Sequence, residues 1–345
     1  MARHLLTDST RPRAVSQLVV HPAADLGYAS FVLDGLARVL GPDAIAYSTD
    51  GFPKPLSPGR FIAFYRADRP GARAFIALHD HADLNEMALT WARVVGMVNV
   101  ATADAKEHSK ILPIGPAFGV RLRSRRATAR HVVAAARFAG GRDAGAVVRG
   151  AWVHQRRRVQ SDVYRPTVSD PDYVFFTAWP WVKHPDVNPP RIEFIDAVRR
   201  SRDLHFEGGF APRRRGMPNY FAGYTAPKRY PMREYLEKIS RSALVFNNPA
   251  VHGCLGWKLG EFLALGKAIV STPLGDRALP EPLVHGEHLH IVDATSSAYD
   301  EAIDCIRHDL EYRLHLEANA RRWYERNLAP ESVATRLLER LAAHP

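Results

Sequence analysis

The residues best equipped for chemistry lie in one run, Asn247-Asn248-Pro249-Ala250-Val251-His252-Gly253-Cys254-Leu255-Gly256-Trp257-Lys258-Leu259-Gly260-Glu261. After Pro249, Gly253 and Gly256 let backbone N–H groups come close to a ligand. The spacing predicts a short helix over about 257–265, stopped by a left-handed cap at Gly266. The free N–H groups and the dipole of such a helix start both favour phosphate. Lys258, in the first turn, is a poor partner for that dipole and makes better sense beside an anion. Glu261, one turn further on, is placed to accept hydrogen bonds from sugar hydroxyls. Together they would hold a ligand with phosphate at one end and hydroxyls at the other.

A second constellation is His79-Asp80-His81-Ala82-Asp83-Leu84-Asn85-Glu86, which follows an apolar strand and opens a helix. Ligands of open α/β sheets bind outside the carboxyl ends of strands, so the place is favourable. Three roles compete for it. Asp80 or His81 could take the proton of an attacking hydroxyl as general base. His79 and His81, on one side of an extended segment, could hold a metal. Or Asp80 or Asp83 simply caps the helix. At the first strand-to-helix turn, His21-Pro22-Ala23-Ala24-Asp25-Leu26-Gly27-Tyr28, Asp25 and Gly27 could face a substrate, or Asp25 could be a plain N-cap. The turn lacks the GxGxxG fingerprint of nicotinamide enzymes. Asp170-Pro171-Asp172 has the DxD spacing of some metal sites but precedes its strand, and reads as a turn.

The run Gly260-Glu261-Phe262-Leu263-Ala264-Leu265-Gly266-Lys267-Ala268-Ile269-Val270-Ser271-Thr272 is similar to the donor-site signature of GT-B glycosyltransferases of the "glycosyl transferases group 1" type. Glu261 matches that signature's second glutamate, which in the family binds the nucleotide ribose. Gly253, with His252 beside it, stands where the first glutamate would be. The resemblance covers roughly 165–345 and rests on element order alone before that. It implies an α/β fold of two Rossmann-like domains facing a cleft, with the C-terminal helices crossing back to the first. It also implies a basic residue after the first strand of the second domain. Lys183, in Ala178-Trp179-Pro180-Trp181-Val182-Lys183-His184, resembles that residue, with Arg191 behind it.

The expected donor site is therefore Lys183, His252, Gly253, Leu255, Gly256, Trp257, Lys258 and Glu261, with Asp80, His81 and His79 as catalytic candidates and Asp25 and Gly27 on the acceptor side. The expected activity is transfer of a sugar from a nucleotide diphosphate sugar to a hydroxyl of a glycan, a lipid-linked or a small-molecule acceptor. Neither metal nor cofactor is expected. Two other classes remain open: a basic protein binding nucleic acid or anionic lipid on this scaffold, and a GT-B sugar-nucleotide epimerase or hydrolase, which needs no acceptor.

With 345 residues, the chain exceeds what one core usually serves, so two domains are expected, 1–164 and 165–325, with 326–345 returning to the first. Two cysteines, Cys254 and Cys305, far apart, fit a reducing compartment. Residues 1–13 lack the apolar core of a secretory signal and no run is long enough to span a membrane, so a cytoplasmic protein is expected. The formal charge of +11, from 47 basic and 36 acidic residues, favours anionic partners: nucleotide phosphates, a peripheral contact with an acidic membrane, or nucleic acid. The basic clusters 121–126, 156–158 and 213–215 lack the interleaved aromatics of a base-stacking surface, and read mainly as solvated helix faces.

These sites need elements to position them. In the first half, strands are predicted at 16–21, 44–48, 61–65, 74–78 and 94–100, with a helix at 25–40 and a proline-rich loop at 51–59, which implies a mainly parallel sheet. Residues 121–158 read as one or two helices. The second half restarts with strands at 173–177, 204–206, 243–247, 268–271 and 288–292 and helices at 191–201, 232–240 and 297–308, the last with Ser297 and Asp300 spaced as a capping box.

Overall fold

The structure, a computed structural model, describes residues 17–54, 56–213 and 221–343. The expected N-terminal tail 1–13, the start of the first strand at Ser16, Pro55 of the proline-rich loop, and Arg214 and Arg215 of the third basic cluster lie outside the described residues.

The first half runs β1 (Leu18–Val20), α1 (Leu26–Leu40), β2 (Ile45–Tyr47), β3 (Phe61–Arg66), β4 (Arg69–Ala77), α2 (Glu86–Trp91), β5 (Val94–Met97), α3 (Thr102–Glu107) and β6 (Ile111–Pro113). The strands form one sheet in the order β2-β1-β3-β4-β5-β6. It is mainly parallel, as expected, and departs from that at β3, which is antiparallel to both β1 and β4. The reason is local. β4 begins at Arg69, so only Ala67 and Asp68 separate it from β3. Two residues can close a hairpin but cannot make the crossover that parallel strands need. Arg66 anchors the turn by an ion pair to Asp68 at 2.6 Å.

Two helices follow, α4 (Arg125–Ala139) and α5 (Gly141–Arg157), broken at Gly140, whose φ of 64° no helix allows. Then come β7 (Tyr173–Ala178), α6 (Pro189–Arg200), β8 (His205–Phe210), α7 (Met232–Arg241), β9 (Val245–Asn247), α8 (Trp257–Leu265), β10 (Ile269–Ser271), β11 (His290–Ile291), α9 (Ser296–His308), α10 (Leu310–Trp323) and α11 (Pro330–Ala343). Proline at the start of α6 and α11 fits, because a first-turn residue has no intrahelical N–H bond to lose.

The later strands make a parallel pair, β7-β8, and a parallel trio, β11-β10-β9. They meet where the Ala243 N–H donates to the Tyr173 carbonyl at 2.8 Å and the Phe175 N–H to Ser242 Oγ at 2.7 Å. The resulting order, β8-β7-β9-β10-β11, reverses direction between β7 and β9. At such a switch point the helices leave on opposite sides and a crevice opens beyond the strand ends. Both α/β layers turn strand ends toward a shared cleft, the architecture the GT-B resemblance implies.

Helix α11 returns to the first layer after a wider π-type turn at Tyr324–Leu328. It packs on α1, β4 and β5. Arg38 of α1 ties it down through Glu331 at 2.5 Å while also holding Asp34 at 2.8 Å, and Ser161 donates to the same Asp34 carboxylate at 2.7 Å. Gly35 is required here, since a Cβ would stand 1.9 Å from the Pro330 carbonyl oxygen.

Two expected caps are corrected. Helix α2 is capped by Asn85, which accepts from the Ala88 N–H at 2.9 Å, and not by Asp80 or Asp83. The box of Ser297 and Asp300 does not form, because α9 already begins at Ser296 and Asp300 pairs with Arg200 at 2.9 Å. Asp170 and Asp172 form the expected turn, held by Arg241 and Arg307. Among the described residues no helix is long and apolar enough to cross a membrane.

Candidate functional site

The crevice beyond β7 and β9 holds a cavity of about 600 Å³. Its near wall is the turn after β9 and the start of α8. Its far wall comes from the first half: Tyr28 of α1, Asp80 beyond β4, and Arg158 where α5 ends. A second cavity of about 910 Å³ adjoins it, sharing Arg158, Trp179, Tyr235 and Lys258.

The turn after β9 is held open by unusual backbone. His252 has φ 58° and Gly253 φ 64°, and a left-handed conformation at a residue with a Cβ costs roughly 1–2 kcal/mol. The rest of the molecule enforces it. Arg277 donates to the His252 carbonyl at 2.6 Å, and the Ala250 N–H reaches the Cys254 carbonyl at 2.9 Å. Asn99, buried past the end of β5, accepts from the Leu255 N–H at 2.8 Å while its amide donates to the His79 carbonyl at 3.3 Å. This one side chain pins the second half's turn to the segment carrying Asp80.

Helix α8 occupies the predicted span and ends at Gly266 in the left-handed region. Gly260 lets the helix approach the first half closely, since a Cβ would lie 2.1 Å from the Pro116 carbonyl oxygen. Trp257, at the tip, is gripped between the two halves: the Tyr28 ring meets it edge-on at 5.3 Å, and the Arg158 guanidinium lies 4.7 Å over it.

Charge is the most informative property of the cavity. Arg191, in the first turn of α6, is buried and donates to Asn248 Oδ1 at 2.9 Å and the Trp179 carbonyl at 3.0 Å. Burial pushes its pKa down to about 10. Lys258 is half-buried, with Nζ 5.2 Å from the Phe176 ring. Burial first, then the charge of Arg191, push its pKa down to about 7, against the pull of Glu261. Neither cation has an ion-pair partner among the described residues. Lys267 shows the contrast: also buried, its ammonium is satisfied by Ser169 at 2.6 Å, the Ser240 carbonyl at 3.0 Å and Glu317 at 3.9 Å.

Glu261 is buried, not exposed on its helix. Tyr235 donates to it at 2.8 Å and Arg158 stands 3.7 Å away. Burial raises its pKa, opposed chiefly by Arg158. The remaining carboxylate of the cavity lining is Asp80, 3.3 Å from Arg60, whose guanidinium in turn stacks 4.5 Å over Tyr28. Cys254 also lines the cavity, but burial pushes its thiol up to about 11, so it is no thiolate at neutral pH.

The expected residues divide. Gly256, Trp257, Lys258, Glu261 and Asp80 line the cavity, and Leu255 anchors its turn through its N–H. His252 and Gly253 shape that turn, but the exposed His252 ring packs at the rim on His81 at 4.4 Å and on His184 at 5.3 Å. His79 turns Nδ1 to the His81 carbonyl at 2.9 Å. Lys183 is exposed and outside the cavity lining, where Arg191 stands instead. Asp25 caps α1, accepting from the Gly27 N–H at 2.8 Å, and both line a separate cavity of about 340 Å³.

Arg158, Tyr235, Trp179 and Asn99 were missed from sequence. Nothing distinguishes Arg158 among the arginines around it. Arg191 carried the same signal as Lys258, a cation in a helix's first turn, where the dipole opposes it.

No family model and no curated protein matches the sequence. Among solved structures, the chain is similar to Anabaena Alr3699/HepE in complex with UDP and glucose, at 12% identity and a TM-score of 0.41, over 74% of this chain and 92% of that one. It is also similar to a glycosyltransferase from Rickettsia africae ESF-5, at 11% identity and a TM-score of 0.45, over 73% of this chain and 63% of that one. Likeness at this level assigns no activity.

Proposed function

We propose that the chain is a glycosyltransferase that moves a sugar from a nucleotide diphosphate sugar to an acceptor hydroxyl. The observation that supports it most is the pair Arg191 and Lys258, two cations carried into one cavity with no ion-pair partner among the described residues. A buried cation without a counter-charge is costly, and a diphosphate at the start of α8 would supply that charge. Glu261 would meet the ribose and Trp179 the more distant parts of the nucleotide. Asp80, on the opposite wall, would take the proton of the acceptor hydroxyl as its oxygen attacks the anomeric carbon. The bond from that carbon to the diphosphate breaks, and Arg191, Lys258 and the helix N–H groups stabilise the charge that leaves. In this reading the donor side begins near Tyr164 and the acceptor lies on the first half.

Nucleotide diphosphates and their sugars are expected to raise the thermal midpoint, since a ligand bound only to the native state stabilises it by mass action. Glu261→Gln, which keeps the Tyr235 contact, is expected to weaken that ligand's affinity by roughly 10- to 100-fold, the worth of a charge-assisted hydrogen bond. A panel in which no nucleotide shifts the midpoint sinks the proposal.

With cationic side chains and a helix N-terminus at the diphosphate, turnover is expected to survive EDTA. Activity abolished by chelation and restored by Mn²⁺ or Mg²⁺ would overturn the metal-free assignment.

A further inference from the structure

The hairpin of α4 and α5 carries nine arginines and a single acidic residue, Asp143, between positions 125 and 158. It is only lightly built into the core: in α4 only His131 and Ala135 are buried. Its outward faces are not uniformly polar. Val133, Val148 and Trp152 are 47%, 48% and 58% exposed. Val148 and Trp152 are one turn apart on the same side of α5, with Arg149 beside them, and the Arg156 guanidinium lies 4.7 Å over the Trp152 ring. Val133 and Arg137 repeat the pattern on α4.

Leaving an indole and two valines in water gains nothing for a folded chain. An apolar strip edged by arginines and including a tryptophan is the pattern of a helix that lies in a bilayer interface, rings among the headgroups and cations on the phosphates. We infer that the α4–α5 hairpin docks on an anionic membrane surface through Trp152, Val148 and Val133, with Arg137 and Arg149 on the headgroup phosphates. Charge complementarity selects anionic lipid. The valines weigh against nucleic acid, since they offer no face on which a base could stack. The hairpin ends at Arg158, on the cavity wall, so docking would set the cavity beside the membrane. This surface is separate from the donor cavity and goes beyond the transfer reading.

The test is flotation of the full chain with vesicles of phosphatidylcholine alone and of phosphatidylcholine mixed with phosphatidylglycerol. Binding is expected to the mixed vesicles only, weakening as salt rises, with a blue shift of tryptophan emission. Trp152→Ala is expected to bind about tenfold more weakly, the effect of one buried aromatic. Arg137→Gln and Arg149→Gln should each cost about fivefold. The thermal midpoint and its nucleotide-induced rise report folding and the donor site separately, so loss of vesicle binding with those intact supports docking. Wild-type affinity in the three variants overturns it. So does equal binding to both vesicles, tighter binding to an oligonucleotide, or self-association that Trp152→Ala abolishes in a chain that ignores vesicles.

Discussion

Asp80→Asn is expected to lower turnover by about 10² to 10⁴ while leaving nucleotide affinity close to wild type, the usual worth of general-base assistance. Two carboxylates line the cavity beside α8, and Glu261 is already engaged by Tyr235 and Arg158. Asp80 faces it from the other half, held among the described residues by Arg60 at 3.3 Å. His81→Asn is the companion measurement. Its ring packs on His252 at the rim, so turnover should change little. Steady-state rates and calorimetric nucleotide affinity decide the matter. Full turnover in Asp80→Asn would remove the base from this segment, and a loss confined to His81→Asn would transfer the role.

Lys258→Met is expected to weaken nucleotide diphosphate binding by about 100-fold and, at the same time, to stabilise the free protein. The native pKa, pushed down to about 7 from 10.5, means that folding strips this ammonium of hydration it does not recover. Between about pH 7 and 10.5 the unfolded chain binds more protons at this site, so native stability rises with pH across that window. Below it the charged lysine is a burden, and the methionine variant should be more stable by about 1 to 3 kcal/mol, discounted because the side chain is only half-buried. Ligand binding carries the opposite sign. A diphosphate favours the ammonium, so above pH 7 binding takes up a proton and wild-type affinity falls as pH rises, by at most about tenfold per pH step. The variant should lose that slope. Denaturation and binding titrations across pH 6 to 9 measure both, and a variant that is destabilised and still binds would refute the assignment.

Much of the second half could be read from sequence because its signals are local. Helix α8 and the cap at Gly266 follow from periodicity and one glycine, and the strand–turn–helix order set the cavity's near wall. What could not be read is what arrives from far along the chain. Asn99 and Arg158 matter because folding carries them to the turn after β9, and neither has a local pattern that marks it. Lys183 and Arg191 show the same limit. Both follow β7, and only the packing of α6 beneath Asn248 turns the second inward and leaves the first in solvent. The antiparallel run of β3 within the first sheet was hidden for a different reason: a two-residue connection between β3 and β4 is invisible when the start of a strand is placed too late.

The contact between Gly35 and Pro330, with Arg38 gripping Glu331 behind it, bears on how the chain is made. Arg38 of α1 emerges from the ribosome 293 residues ahead of Glu331, and α1 cannot bury this face until α11 has been synthesised. The first layer must therefore wait, partly uncovered, while the intervening chain is made, with the face around Gly35 and Arg38 awaiting its cover. Closing so long a loop is slow, so this face of α1 is the one that a chaperone would have to shield until α11 arrives.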